Sequence, residues 1–262
     1  MSRHWNLFVR TSSLRLSAEM AYKLNFWIKS LAITLSDFIG PLFILLIYTT
    51  TSGIEGWTFP EFILFQGTLI FAMGFSHVFF AFIGVQVIDM VRLGKFDSVL
   101  VKPYNPLVYL TLSSFDWDGL GELLVGFALL VWAFIVLGIT VFSWNFLVYL
   151  FVVLLALLFF YSIIVTICAL SFLLIKSWAL FALFFRTMDF AKYPLDIYGS
   201  GLRVLFTFFL PLGVASFYPA KALLEGLSGW TVLQLTISVG IIFGISLILW
   251  HFAMKKYSSA GG

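Results

Sequence analysis

The stretch Met90-Val-Arg-Leu-Gly-Lys-Phe-Asp-Ser-Val-Leu-Val-Lys-Pro-Tyr-Asn-Pro106 puts three cations, a glycine and two prolines between runs that lipid would dissolve. Gly94 supplies the backbone freedom that a helix C-terminal cap needs, so the helix arriving from the N-terminal side is predicted to stop there. Pro103 and Pro106 prevent Val101 to Asn105 from continuing as helix. Between these stops, Lys95 to Val101 is predicted to form a short helix with Phe96, Val99 and Leu100 on one face. Such an amphipathic piece, held just outside a membrane, suits docking of a soluble partner.

The surroundings justify speaking of a membrane. Hydrophobic residues make up 62% of the chain and charged residues 10%. Mean hydropathy is +1.08. A soluble domain carries about 25% charged residues. Crossing about 30 Å of hydrocarbon takes roughly 20 apolar residues in a helix, with every backbone polar group satisfied internally. Five such runs lie near residues 30 to 51, 62 to 88, 119 to 142, 146 to 175 and 230 to 252. A sixth is expected within 177 to 218, where Arg186, Asp189, Lys192, Pro194, Asp196 and Arg203 interrupt the hydropathy. The predicted fold is an all-α integral membrane protein forming one transmembrane domain over 1 to 262, with six transmembrane helices.

Cations near helix ends are retained on the cytoplasmic side. With the N-terminus inside, Arg3, Arg10, Arg15, Lys23, Lys29, Arg92, Lys95, Lys102, Lys176, Lys255 and Lys256 are cytoplasmic. Lys221 is external, and Arg186, Lys192 and Arg203 depend on where the fifth span lies. Residues 89 to 106 then form a cytoplasmic loop, and both termini are inside. The first 25 residues lack the apolar core of a cleavable signal. Trp5, Val9, Leu16 and Met20 share one helical stripe, as in a helix lying in the headgroup plane. A partly ordered basic tail is the plain alternative.

The familiar chemistries find no support in the sequence. Gly94-Lys95-Phe96 is not a phosphate-binding loop, because no Ser or Thr follows the lysine and no glycine stands five residues before Gly94. Leu227-Ser-Gly-Trp230 is too short for an ATPase signature and falls outside the cytosol. His4, His77 and His251 are isolated, the single Cys168 lies in an apolar run, and no Gly-x-Ser-x-Gly elbow is present. No catalytic residue, metal site or cofactor is expected on this chain. Energy must come from another subunit or from an ion gradient.

Arg92-Leu-Gly-Lys-Phe-Asp-Ser-Val-Leu-Val-Lys-Pro103 resembles a signature of Arg, x, Gly, x, Leu or Phe, Asp, two variable residues, Leu, two more and Pro. It is found in permeases of the second type of ATP-binding-cassette exporter, in the small branch whose members usually occur as two permeases beside one ATPase. Phe190-Ala-Lys-Tyr-Pro-Leu-Asp-Ile-Tyr198, Phe206-Thr-Phe-Phe-Leu-Pro211 and Tyr218-Pro-Ala220 are similar to that branch's Tyr-Pro, Ile-Tyr, Phe-x-x-Pro and Pro-Ala landmarks, in the expected order.

The resemblance implies two permeases, identical or related, with two copies of a nucleotide-binding subunit that holds ATP and Mg. It implies the bacterial cytoplasmic membrane, with membrane lipid and no nucleic acid as a further partner. Residues 92 to 103 would be the coupling segment. Phe96 and Leu100 would be its apolar contacts to the ATPase, Arg92, Lys95, Asp97 and Lys102 would orient it, and Gly94 and Pro103 would bound it. The same charges would also mark a plain cytoplasmic turn. A short fifth span and then a re-entrant hairpin between spans five and six are implied for 177 to 218, with bends at Pro194, Gly199, Gly201 and Pro211. Hydropathy alone draws that region otherwise, with the span at 203 to 219 and 177 to 200 as a cytoplasmic helix.

Charged residues inside spans usually face a cavity or a partner. Asp37 qualifies, either as a substrate contact or through a structural hydrogen bond, while Lys29 can snorkel to the surface. Arg186 with Asp189, and Asp189 with Lys192, are spaced to pair along one helix. With Tyr193, Pro194, Pro211 and Pro219 they form a candidate translocation path or gate. Asp116, Asp118 and Glu122 read as complements to a helix dipole, with Asp118 as a cap. Phe71, Phe75, Phe79 and Phe82 share a stripe that suits packing or an apolar route. Three functions are open to such a chain: an ATP-driven export permease for a hydrophobic or amphipathic small molecule such as a drug, toxin, antibiotic or lipid, an ion-coupled transporter, and a lipid-modifying membrane enzyme. The last needs a convergent catalytic cluster that the sequence lacks.

Overall fold

A computed structural model describes residues 3–174 and 177–258. Lys176 and residues 259–262 lie outside the described residues. Those described are helical throughout, without strands. Helix α1 (Arg3–Ala21) leads at Tyr22 into α2 (Lys23–Thr50), and α3 runs over Phe59–Arg92. Next are two short helices, α4 (Asp97–Leu100) and α5 (Pro106–Ser113). The long helices α6 (Leu120–Leu137) and α7 (Trp144–Ser171) come after them. Helices α8 (Ser177–Thr187), α9 (Ser200–Phe209) and α10 (Phe217–Leu224) are short, and α11 (Gly229–Lys256) closes the chain.

Among the described residues, α2, α3, α6, α7 and α11 are the five helices long and apolar enough to cross a membrane. They match the five hydropathy runs. Helices α3 and α7 are mostly buried and form the centre, whereas α2, α6 and α11 present most of their surface outward.

Local chemistry sets the boundaries. Glu61 accepts the Thr58 backbone N–H (2.7 Å) and Pro60 occupies the first turn of α3, a favourable start because that turn has no use for the missing N–H. The end of α3 is a Schellman cap: Lys95 N–H donates to Met90 C=O (2.7 Å) and Gly94 N–H to Val91 C=O (3.2 Å). Gly94 has φ 65°, the left-handed conformation the cap requires. The helix stop read from the sequence is therefore present. Asn105 caps α5 by accepting from Leu107 N (3.0 Å), so the prolines separate two helices as expected. Helix α1 is ordered against the end of α5 and the residues beyond it: Thr11 Oγ1 donates to Leu112 C=O (3.2 Å), and Trp117 Nε1 to Ser12 C=O (3.0 Å).

The segment 177 to 224 forms neither a continuous helix over 177 to 200 nor one over 203 to 219. The Phe181 ring covers Gly84, and Gln66 Nε2 donates to Lys192 C=O (2.7 Å). Gly84 and Gln66 are roughly 25 Å apart along α3 at the rise of an α-helix. Thus α8 and the 3-10 turn after it climb α3 over nearly a membrane thickness. Beyond α9, Leu212, Val214 and Ala215 are buried in the same core as Val152, Leu155 and Ala156 of α7. Just past α10, Gly226 lies against Asn145, at the start of α7. The turn between α9 and α10 is therefore set deeper along α7 than the end of α10.

Helices α3 and α6 approach closely at glycines. A Cβ on Gly74 would lie 2.5 Å from Leu123 N, and one on Gly126 would lie 2.3 Å from Phe71 N. Gly67 sits seven residues from Gly74 and meets Leu129 and Leu130 in the same way. Between apolar helices in lipid, close packing of small residues replaces the hydrophobic effect as the source of association. Gly126→Leu is expected to reduce the yield of monodisperse protein in detergent and to lower its melting temperature. Gly240→Leu, where nothing lies within 4 Å of the added atom, should leave both near wild type.

Candidate functional site

Two regions carry the candidate residues: the tip at 92 to 103 and a line of polar groups between the helices. At the tip, Arg92 is exposed and pairs with Asp89 (3.1 Å). Lys95, Lys102 and Pro103 are also exposed. Phe96 is not. It is 0% exposed, its ring lying 4.7 Å from Phe172, 5.4 Å from Tyr257 and 6.5 Å from Trp250. The expectation that Phe96 contacts the partner is thereby corrected. The left-handed turn at Gly94 reverses the chain so that Phe96 and Val99 point into the protein, leaving Leu100 (41% exposed) and Val101 (80%) outside. The tip is thus fastened to the ends of α7 and α11. Desolvation and, after it, the neighbouring Asp97 carboxylate raise the Tyr257 phenol above its ordinary range.

Asp37 borders a cavity of about 180 Å³ with Gln66, Glu122, Lys192 and Tyr193, and its Oδ2 has no hydrogen-bond partner. Lys192 pairs with Asp189 (2.7 Å) as spacing predicts. The expected Arg186–Asp189 pair is absent among the described residues. Helix α8 ends at Thr187 and passes into a 3-10 turn over Met188–Lys192, within which Asp189 is engaged by Lys192. Arg203, grouped with no partner in the sequence, lies 3.5 Å from Asp196. Pro194 opens a second 3-10 turn, Pro211 the buried turn before α10, and Pro219 is buried in the first turn of α10.

Sequence reasoning missed the groups that lie opposite one another across α3, α2 and α6. His77 Nδ1 is 3.1 Å from Glu122 Oε2, and its Nε2 is 3.9 Å from Asp116. Lys29 pairs with Asp118, which is 1% exposed on its side chain. The reading of Asp118 as a cap is corrected: Gly119 holds the N-cap position of α6 without a side-chain cap, and Asp118 is committed to Lys29, while Glu122 does lie in the first turn of α6. His77 opens a π-turn over His77–Ala81, a wide turn that exposes carbonyls, and Asp116 N–H donates to Val78 C=O (2.8 Å). Three acids within seven residues, in a chain holding 12 in total, was the available signal. No group of three or more His, Cys, Asp or Glu among the described residues is placed to hold a metal.

A second cavity of about 250 Å³ shares Met73 and Glu122 with the first. Its walls are chiefly Phe82, Phe160, Phe181, Phe184 and Phe185, with Ser76, His77 and Glu122 as the polar groups. Of the predicted Phe71, Phe75, Phe79 and Phe82 stripe, only Phe82 lines it. Phe75 and Phe79 stack on each other (4.4 Å) and pack against the core. A third cavity continues past Phe82 to Arg15, Lys29, Asp116 and Asp118. Arg15 holds its guanidinium 4.2 Å above the Phe82 ring, and burial lowers its pKa against the pull of Asp116 and Glu19. A row of cavities thus runs along α3 from Gln66 towards its C-terminal end.

The profile of the ABC-2 family transporter proteins matches residues 31–261. The chain belongs to that family. It is accordingly a multi-pass membrane subunit of an ATP-binding-cassette transporter, and membership implies an ATPase partner. No curated protein matches this ABC-2 chain, and no solved structure does. The tip at 92 to 103 falls within the matched residues, as do Asp37, His77 and Glu122.

The aromatic anchor of the ABC-2 subunit's tip is testable by proteolysis. Phe→Ala in a packed core costs about 3–5 kcal/mol. Phe96→Ala should therefore speed trypsin cleavage after Arg92 and Lys95 at least tenfold in the detergent-solubilised protein. Leu100→Ala, at an exposed position, should leave the cleavage rate within twofold.

Proposed function

We propose that this ABC-2 subunit is an export permease that moves a hydrophobic or amphipathic small molecule out of the cytoplasm or inner leaflet of a bacterial cytoplasmic membrane. Two permeases, identical or related, would work with two ATPase subunits that bind ATP and Mg, and this chain would hydrolyse nothing itself. Both termini would be cytoplasmic, consistent with the cations of the tip and of the last turn of α11, Lys255 and Lys256. Helix α8 with the turn after it would be the fifth span. Helices α9 and α10 would form a hairpin entering from the outer side, a broken backbone tolerable at that depth because its turn is packed in protein.

The observation that carries the reading is the tip. It ends in exposed Leu100 and Val101 flanked by exposed Arg92, Lys95 and Lys102, and it is fixed by Phe96 to the ends of α7 and α11. An ATPase gripping the tip would move α7, and α7 supplies Phe160 and Ile164 to the aromatic cavity. A push at the cytoplasmic surface would thus reach the cavity wall through one helix.

Affinity purification of the chain, expressed with its genomic neighbours, should recover a soluble ATPase at stoichiometric level. Leu100→Asp with Val101→Asp should abolish that recovery while the permease still elutes as a monodisperse species. Purification of the chain alone under all conditions would contradict the proposal and move attention to Asp37, His77 and Glu122 as an ion-coupling line.

A further inference from the structure

The transported molecule can be narrowed by charge, an argument that rests on the permease reading above. In low dielectric an uncompensated charge is costly, so buried ions occur with partners. The described cations lining the two cavities that share Met73 and Glu122, and the third cavity beyond Phe82, are already engaged. Lys29 is on Asp118, Lys192 is on Asp189, and Arg15 donates to Phe115 C=O (3.4 Å) while covering the Phe82 ring. Against them stand Asp37, Asp116 and Glu122, with His77 alone between the last two. Glu122 is 9% exposed, borders both cavities, and uses only Oε2 on His77. Asp37 Oδ2 is buried and has no partner. Two carboxylates therefore face the cavities with acceptor oxygens unused and no free cation among the described residues to meet them.

The rest of the wall has the opposite character. Phe82, Phe160, Phe181, Phe184 and Phe185 supply ring faces and edges around Glu122, and the polar groups other than Glu122 are Ser76 and His77. Aromatic faces attract cations, most strongly when water is excluded. Arg15 over Phe82 shows one ring of this wall already used in that way. A sugar or peptide would find too few hydrogen-bonding groups, and an anion would meet carboxylates. A neutral apolar molecule would leave the buried Asp37 Oδ2 without a partner and the second oxygen of Glu122 unused.

We propose that the joined cavities bind a lipophilic cation, its ammonium-like head at Glu122 within reach of Asp37 and its planar apolar body among the phenylalanines. Ligand sites of this kind combine an apolar lining with few, placed polar groups. The cavity of about 250 Å³ admits a two-ring body, with the adjoining space of about 180 Å³ available to the head.

The test uses the permease with its co-purified partner in nanodiscs and equilibrium dialysis of radiolabelled trimethyl(biphenyl-4-yl)ammonium. Unlabelled 4-tert-butylbiphenyl, the neutral isostere, and biphenyl-4-sulfonate are the competitors. Saturable binding of the ammonium is expected, with at least tenfold weaker competition by either analogue, and Glu122→Gln should weaken binding tenfold or more, as removal of a buried charge partner does. Asp37→Asn, at a less buried position, provides a second variant for which a threefold or greater loss is expected. Equal competition by the neutral isostere, or unchanged affinity in both variants, would overturn the inference even where the ATPase co-purifies and the permease reading stands. If no ATPase is recovered yet charge-selective binding persists, the site survives and the export reading falls.

Discussion

The backbone contact between α3 and α6 governs where the polar groups of this subunit meet. Gly74 lies against Leu123 and the carbonyl carbon of Glu122, and Gly126 lies against Phe71, so the two helices approach more closely than any Cβ would allow. That approach carries Glu122 to within 3.1 Å of His77, two residues 45 apart in the chain. It also brings Asp116 to the carbonyl of Val78, where the π-turn has widened α3. With a bulkier interface Glu122 would sit away from His77, and the two cavities that share it would part.

The tip and the cavities are joined through α7. Phe96 packs on Phe172 just beyond α7 and on Trp250 and Tyr257 at the end of α11, while Phe160 and Ile164 of α7 border the aromatic cavity. A buried ring forms a stiffer link than a surface ion pair, because packed side chains transmit displacement whereas exposed charges are screened. The exposed cations around the tip are suited to steering a partner onto Leu100 and Val101 and less suited to bearing load.

Much of the fold could be read from the sequence because lipid imposes one demand, about 20 apolar residues with internal hydrogen bonds. The five long helices obey it, and Gly94, Asn105 and the two prolines punctuate the tip as their backbone chemistry requires. Hydropathy alone misdrew residues 177 to 224 because Asp189 with Lys192 and Asp196 with Arg203 pair locally, so charge lowers the hydropathy of a segment that nevertheless climbs α3. Phe96 was placed in the right segment and on the wrong side, since periodicity over four helical residues cannot say which face turns inward after a reversal. The cluster of Asp116, Asp118 and Glu122 was visible, but its pairing with His77 was not, depending as it does on the separation of two helices. The aromatic cavity was hidden for another reason: with 32 phenylalanines, no single one stands out.

The central claim is that a separate ATPase drives this permease by holding the exposed tip of 92 to 103. Photo-crosslinking tests it most directly, with p-benzoylphenylalanine at Val101 and, as the control, at Phe142 beyond the opposite end of α6, in cells expressing the chain with its genomic neighbours. The account predicts an adduct with a nucleotide-binding subunit from Val101 and none from Phe142. An adduct from both positions, or from neither while both variants reach the membrane, would contradict it.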